Sequence, residues 1–239
     1  MHIITDNDLH DTLCQICIES PHSLLSELSK ENKQKIIETT VCISYKKGDI
    51  IYEEGKMPIA LLCLVSGKVK IFKEGIGGRQ QIVRMAKPIG FIGYRAFFAE
   101  EMHIASAEAL EDSIVCRIKT ELIFNIVRDS PDLAMSIIRA LATDLGFSNR
   151  RTVTLTQKHI RGRLAEALLV LKDTYGYEKD NATLKVCLTR EDLANLSNMT
   201  TANAIRTLSN FASEGIVELD GKKIRVMDQE GLEHISNCC

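Results

Sequence analysis

The stretch TREDLANLSNMTTANAIRTLSNFASEGIVELDGKKIRV, residues 189–226, decides the fold of the C-terminal part of the chain. Thr189 and Thr200 each precede an amphipathic segment. Both are suited to cap a helix, because a threonine hydroxyl accepts hydrogen bonds from free amides of the first turn. Ser197-Asn198-Met199 separates the two segments, and Asp220-Gly221 between two alternating apolar runs predicts a β-hairpin. This spacing predicts a helix-turn-helix followed by a two-stranded wing.

The second helix of such a motif enters the major groove of DNA, where arginine can read guanine and asparagine can read adenine. We therefore predict a double-stranded DNA partner. The predicted contacts are Thr189, Arg190, Thr200, Thr201, Asn203 and Arg206. Residues 189–225 carry five basic and five acidic side chains, which supports an alternative: a signalling module whose winged helix contacts protein. Residues 146–163 carry five basic and no acidic side chains, so we expect phosphate attraction there.

Upstream, residues 131–157 show helical periodicity. Apolar or small residues recur at alternating steps of three and four, which is the pattern of a heptad seam. The seam comprises Ile138, Leu141, Leu145, Ser148, Thr152 and Leu155. We interpret this segment as a helix that pairs with a second copy of the chain, giving a homodimer.

The N-terminal half has a different pattern of apolar residues and glycines. Residues 41–119 contain short β-type runs separated by glycine turns, which is typical of a sandwich or jelly roll. The first 40 residues are typical of short helices. The predicted fold class is α+β, with an N-terminal β-roll sensor domain, a long dimerisation helix and a C-terminal winged helix-turn-helix. The predicted domains are 1–40 (helical segment), 41–130 (β-roll), 131–157 (dimerisation helix) and 158–239 (DNA-binding domain).

Composition narrows the classes of function. The chain has 239 residues and a net charge of −2, and its longest apolar run, Ile59–Val65, is far shorter than the roughly 20 residues of a membrane span. No signal peptide is visible at the N-terminus, which predicts a cytoplasmic protein without a membrane partner. The eight cysteines are then expected as free, metal-bound or redox-active thiols rather than structural disulfides. No catalytic constellation of side chains is suggested, so we do not expect an enzyme.

Several motifs together resemble the Crp/Fnr family of transcription regulators over nearly the whole chain. They are GDIIYEEG (48–55), LVSGKVKIF (64–72), FIG (91–93), SPDLAM (130–135), IRGRLAEALLVL (160–171), LTREDLANL (188–196) and GIVELDGKKIRV (215–226). The resemblance implies a cyclic-nucleotide-binding-type β-roll joined to a winged helix-turn-helix. It also implies effector-controlled activation or repression of transcription, by a homodimer on a two-fold symmetric site, with RNA polymerase as a partner.

The resemblance also bears on the effector. Members that bind cAMP carry a glutamate after the FIG-type turn and an Arg-Ser pair some ten residues later. Tyr94 occupies the first position here and Ile104-Ala105 the second. Isoleucine offers neither a cation nor a donor to a cyclic phosphate, which argues against cAMP. The effector is therefore unknown, and its candidate pocket residues are Gly93, Tyr94, Arg95, Ser148 and Asn149.

Cysteines offer an alternative sensor. Cys14 and Cys17 form a Cys-x2-Cys motif, and Cys116 matches the last cluster-binding cysteine of the oxygen-sensing Fnr branch. An iron–sulfur cluster or a thiol switch sensing oxygen or nitric oxide would use these three residues as ligands. The position of that branch's third N-terminal cysteine is Ser23. A cluster lacks a fourth thiolate here, and zinc also finds three good ligands at most. The competing interpretation is that Cys116 is an ordinary buried strand residue.

Overall fold

The computed structural model describes residues 2–21 and 23–238. Its N-terminal segment consists of strand β1 (His2–Ile3), helix α1 (Asn7–Glu19) and helix α2 (Lys30–Thr39). Each helix begins after a capping side chain. Asp6 accepts a hydrogen bond from the amide of Leu9 at 3.0 Å, and Ser29 accepts one from the amide of Asn32 at 3.3 Å. The short helices expected in this segment are confirmed.

A run of strands and one short helix follows. Its elements are β2 (Val41–Tyr45), β3 (Ile50–Tyr52), β4 (Ala60–Ser66), β5 (Val69–Glu74), β6 (Gln80–Ala86), β7 (Gly90–Ile92), α3 (Tyr94–Ala99), β8 (Ser106–Ala109) and β9 (Ser113–Lys119). The strands form two sheets, with strand orders β1-β2-β9-β4-β7 and β3-β8-β5-β6. The described neighbours pair antiparallel, which confirms the predicted two-sheet β architecture.

Gly67 shows why the turn between β4 and β5 needs a glycine. It links β4 to β5 with φ of +90°, and a Cβ placed there would lie 2.1 Å from Oγ of Ser113. Any other residue would be strained in its backbone and would collide with β9. The close approach of this turn to β9 therefore requires glycine.

The five-stranded sheet is covered on both faces. One core, containing Ile43, Leu62, Leu64 and Val115, lies between the two sheets. The alternate residues of the same strands point to the opposite face, because successive side chains of a strand alternate. That face packs against helices and forms a second core, which includes Cys42, Leu61, Cys63, Cys116 and Ile118.

Two helices follow the β-roll, α4 (Thr120–Asp129) and α5 (Pro131–Gln157). At 27 residues, α5 is about 40 Å long. Leu133 and Ile137 are buried in the second core. Other apolar side chains along α5 remain exposed, namely Met135, Ile138, Leu145 and Val153.

The C-terminal part contains α6 (Ile160–Tyr175), α7 (Arg190–Leu196), α8 (Thr201–Ser213), β10 (Val217–Asp220), β11 (Lys223–Val226) and α9 (Gln229–Cys238). The predicted helix-turn-helix and wing are confirmed. Between α6 and α7 the chain forms isolated bridges, Tyr177 with Leu184 and Thr183 with Arg225.

The chain divides into two units. One holds the chain up to Lys73 together with Arg84–Leu145, and the other holds Glu74–Val83 together with the chain from Gly146 onward. Among the described residues, none of the helices combines the length and the apolar character needed to cross a bilayer.

Candidate nucleic-acid interface and sensor residues

The two helices of the helix-turn-helix begin at capped threonines. Thr189 Oγ1 accepts a hydrogen bond from the amide of Asp192 at 2.9 Å, and Thr200 Oγ1 accepts one from the amide of Asn203 at 3.3 Å. Thr189 also donates to the Asp192 carboxylate at 2.6 Å. Both hydroxyls, which we predicted as DNA contacts, therefore hold the helix starts in place.

Packing decides which face of α8 is available to a ligand. Ala204, Leu208 and Phe211 are buried, together with Leu193 of α7. Thr201, Ala202 and Arg206 are exposed and Asn203 is half-buried. Ile205 is 47% exposed on this free face.

Arg206 and Asn203 act as a pair on that face. Nη2 of Arg206 donates to Oδ1 of Asn203 at 2.7 Å, across one turn of the helix. The bond uses one guanidinium nitrogen of Arg206 and the amide oxygen of Asn203, so the other guanidinium nitrogens and the Asn203 amide nitrogen take no part in it. Both residues predicted to read bases therefore lie side by side near the start of α8.

Arg190, which we predicted as a DNA contact, also has a bonding partner within the winged helix. Its Nη2 donates to the carbonyl oxygen of Gly221 at 2.7 Å, which ties the start of α7 to the tip of the wing. Strand register places Gly221 and Lys222 in the two-residue loop, between paired Asp220 and Lys223. Lys222 and Lys223 are exposed there. These two lysines are among the five basic side chains of residues 189–225, but the sequence did not predict them as site residues.

Several basic side chains of segment 146–163, where we expect phosphate attraction, bond to other groups of this chain, whereas Arg150 is exposed. Arg161 forms two bonds to the Glu214 carboxylate, at 2.8 and 2.6 Å. Lys158 pairs with Glu166 at 2.9 Å. Arg163 donates to the carbonyl of Asn198 at 2.8 Å, and buried Arg151 donates to that of Leu196. These last two cations satisfy carbonyls at and just after the end of α7, where the helix dipole is negative.

Among the candidate effector residues of the first unit, Tyr94 is held by contacts with Asp144 and Arg84, and we call this group the Tyr94 corner. Tyr94 is buried, and its hydroxyl donates to the Asp144 carboxylate, which also forms an ion pair with Arg84. Burial, followed by the Asp144 contact, raises the pKa of Tyr94 to about 12. Arg95 points elsewhere and bonds Glu101 at 2.9 Å. The sequence missed Arg84 and Asp144, because no local pattern links them to Tyr94.

Gly93 holds this corner in shape. Its φ is +67°, and an added Cβ would lie 2.8 Å from Cε1 of His103 and 3.2 Å from Cε1 of Tyr52. Tyr52 and His103 stack with ring centroids 4.0 Å apart. They also line a cavity of about 460 Å³, together with Lys56, Ile59 and Arg117 among others. Ser148 and Asn149, the remaining candidates, are exposed on α5 in the second unit.

The predicted cysteine ligands share one core but are not three free thiols. Cys14, Cys17 and Cys116 are all buried in the second core of the β-roll. Cys17 is disulfide-bonded to Cys63, and Cys116 to Cys42. The expectation of no structural disulfides is therefore wrong in this structure, and the proposed cluster set is not favoured. Cys14 remains a thiol, and burial, aided by Asp11, raises its pKa to about 12.

A β-roll with a winged helix-turn-helix defines a class of DNA-binding regulator, and comparison with known proteins identifies the family. The cyclic nucleotide-binding domain model matches residues 42–130, and the Crp-like helix-turn-helix domain model matches residues 162–235. The chain belongs to the Crp/Fnr family of transcription regulators, as the sequence motifs predicted, and it is not an enzyme.

Individual relatives agree with this assignment. A CRP-like cAMP-activated global transcriptional regulator of Mycobacterium tuberculosis is 26% identical over 192 residues, covering 80% of this chain and 85% of its own. An anaerobic regulatory protein of Haemophilus influenzae is 25% identical over 222 residues, covering 92% and 84%. The structure of FixK2 from Bradyrhizobium japonicum superposes with a TM-score of 0.76 at 21% identity, covering 84% of this chain and 99% of its own. This structural likeness shows the fold.

Proposed function

We propose that this protein is a homodimeric regulator that binds a two-fold symmetric promoter site through α8 and the wing, and is controlled by an effector other than cAMP. RNA polymerase is its expected partner at the promoter. The observation that most directly supports DNA binding is the exposed polar face at the start of α8, where Arg206 donates a hydrogen bond to Asn203 at 2.7 Å.

This face suits direct reading of base edges. Arginine pairs with guanine through two donors, and asparagine pairs with adenine through its amide. The contact between Arg206 and Asn203 restricts both side chains, which lowers the entropy lost when they meet the bases. The exposed Lys222 and Lys223 supply positive charge at the wing for phosphate contacts that carry no sequence information.

The dimer is proposed along α5. Ile138 is 57% exposed and Leu145 is 63% exposed in the single chain, and both occupy seam positions of the predicted heptad pattern. Large apolar side chains left in water on one long helix favour burial against a second copy of that helix. Two copies of α8 would then read two half-sites about one turn of DNA apart.

The Tyr94 corner supports an effector other than cAMP. The resemblance gives that position to a ribose-binding glutamate, whereas Tyr94 already donates its hydroxyl to Asp144. Ile104, at a phosphate-binding position of the family, is 61% exposed and apolar. Calorimetric titration with cAMP should show no saturable binding, and tight binding would overturn this part of the proposal.

Selection from a pool of random DNA duplexes tests the main claim. The full-length protein should enrich an inverted repeat, and its affinity for that repeat should fall steeply as salt rises. Arg206→Ala should weaken binding to the selected site by about 1–3 kcal/mol, the worth of a bidentate base contact. Arg128→Ala, a change at an exposed arginine of α4, is the matched control and should leave affinity unchanged.

Two results would contradict the proposal. Failure to enrich any sequence would favour the alternative that the winged helix contacts protein. Equal effects of the Arg206 and Arg128 substitutions would show that α8 does not read the bases.

A further inference from the structure

Three strand cysteines form a row across the five-stranded sheet. In the antiparallel pairing, Cys116 of β9 lies opposite Cys42 of β2 on one side and opposite Cys63 of β4 on the other. Directly opposite residues of antiparallel strands point to the same face. Helix α1 adds Cys14 and Cys17 above this face, and all five residues are at most 1% exposed. The fold thus collects sulfur atoms from four separate elements in one core.

One member of this row, Cys42, forms a group with two side chains of α1, and this group is spaced like the ligands of a metal ion. Sγ of Cys14 lies 3.7 Å from Sγ of Cys42 and 3.7 Å from Nε2 of His10. The ligand atoms of His10, Cys14 and Cys42 all lie within 4.8 Å of one another. Tetrahedral zinc with bonds of about 2.3 Å to sulfur and 2.0 Å to nitrogen separates its ligand atoms by roughly 3.5–3.8 Å. The observed spacing is close to the edges of such a tetrahedron.

The surroundings of His10 also fit a ligand. His10 and Cys14 are four residues apart on α1, so their side chains share one face of the helix. Nε2 of His10 lies 2.9 Å from the carbonyl oxygen of Thr40. A proton on Nδ1 donated to the Asp11 carboxylate, whose Oδ1 lies 3.2 Å away, leaves the Nε2 lone pair for a metal, and a carboxylate in this outer position is usual for metal-binding histidines. Zinc would then replace the Thr40 carbonyl as the partner of Nε2. Nδ1 lies 4.0 Å from Sγ of Cys14.

We propose that the reduced protein binds one zinc ion through His10, Cys14, Cys42 and Cys116. The first three residues form the group with ligand atoms within 4.8 Å of one another, and we add Cys116 as the fourth ligand because its sulfur is bonded to that of Cys42 and therefore lies next to this group. A dithiol reductant transfers two electrons and two protons to this disulfide, giving two cysteine thiols, and is itself oxidised to a disulfide. Zinc then binds three cysteine sulfurs as thiolates, releasing three protons, and one neutral imidazole nitrogen. Oxidation of Cys42 and Cys116 removes two ligands, so metal binding depends on the redox state.

This set differs from the cysteines that sequence spacing singled out. Cys17 is bonded to Cys63 and takes no part in the site. His10 and Cys42 replace it, and neither belongs to the Cys-x2-Cys motif. The site is independent of DNA binding, so its test does not depend on the proposed function.

The test is metal titration of the full chain under anaerobic conditions. The protein is reduced with a phosphine, freed of reductant and titrated with cobalt(II), followed by competition with zinc. We expect one equivalent to bind, with visible bands of tetrahedral cobalt–thiolate coordination that zinc removes. Protein whose Cys42–Cys116 disulfide is retained should not give these bands.

Single substitutions distinguish two of the proposed ligands, His10 and Cys14, from cysteines outside the site. His10→Ala and Cys14→Ser should each weaken zinc binding by roughly a hundredfold or more. Cys17→Ser should retain binding, as should Cys187→Ser, which changes an exposed free thiol. His10 lies at the edge of the core with a side chain 19% exposed, so its alanine variant should fold, which thermal unfolding without metal checks.

Three outcomes would overturn the proposal. They are absence of binding to reduced protein, loss of binding with Cys17→Ser but not with His10→Ala, and uptake of iron with sulfide in place of a single zinc ion. The last two would point to the set Cys14, Cys17 and Cys116.

Discussion

The hydroxyl of Tyr94 donates a hydrogen bond to the carboxylate of Asp144 on α5, and the Tyr94 side chain is buried. Arg84 forms an ion pair with the same carboxylate. One acidic side chain of the long helix therefore anchors both the start of α3 and the end of β6. An effector that binds beside Tyr94 would have to compete with, or make use of, this connection.

The first prediction concerns that bond. Tyr94→Phe removes only the hydroxyl and should lower the free energy of unfolding by about 1–3 kcal/mol, since the acceptor is charged. Urea denaturation measures the change. Tyr175→Phe, a change at a half-buried tyrosine of α6, provides a comparison from the other unit. A Tyr94→Phe protein as stable as the parent would show that the hydroxyl bond contributes nothing to the folded state.

The second prediction addresses the pair on α8. Asn203→Ala should weaken binding to the selected DNA site, and the combined Asn203→Ala and Arg206→Ala change should cost less than the sum of the single changes. The physical reason is that the two side chains are bonded at 2.7 Å, so each loses part of its function with the other. Fluorescence anisotropy of a double-mutant cycle measures this coupling. Strictly additive effects would show that the two residues act independently.

The third prediction concerns acid stability. Burial opposes ionisation of Glu166, but the Ser236 hydroxyl at 2.6 Å and Lys158 at 2.9 Å outweigh it and lower the pKa of the carboxyl. Because the pKa is lower in the folded state, the ionised group stabilises the protein above its ordinary pKa. This contribution is lost as the pH falls through the lowered value.

Ser236→Ala removes one of these bonds, so it should flatten the dependence of stability on pH in the acidic range. Urea denaturation from about pH 3 to 7 measures the slope. Ser213→Ala, at an exposed residue of α8, is the control. An unchanged slope would mean that Ser236 does not influence the ionisation of Glu166.

The fourth prediction concerns backbone geometry. Gly93→Ala should destabilise the protein more than Gly77→Ala, by at least about 1 kcal/mol. Both glycines have positive φ, +67° and +79°, but an added Cβ meets His103 at 2.8 Å only at position 93. Thermal unfolding of both variants measures the difference. Equal losses would show that backbone strain alone matters and that His103 moves aside freely.

Local chemistry made much of this protein predictable. Capping threonines, the Asp-Gly turn and helical periodicity act over a few residues, so they predicted the helix-turn-helix, the wing and α5. Residues 183–188 show the limit of local patterns: a strand needs a partner along its length, and only single bridges form at Thr183 and Leu184.

The sequence by itself determined the family, the order of the elements and the position of α8 as the second helix of the helix-turn-helix, because these follow from residues close together in the chain. Only the tertiary structure decided which distant groups meet. Cys42 and Cys116 are 74 residues apart, and strand pairing places their Cα atoms 4.1 Å from each other. Folding likewise placed Asp144 beside Tyr94 and Glu214 beside Arg161. Such contacts depend on strand register and helix packing, which no short pattern encodes.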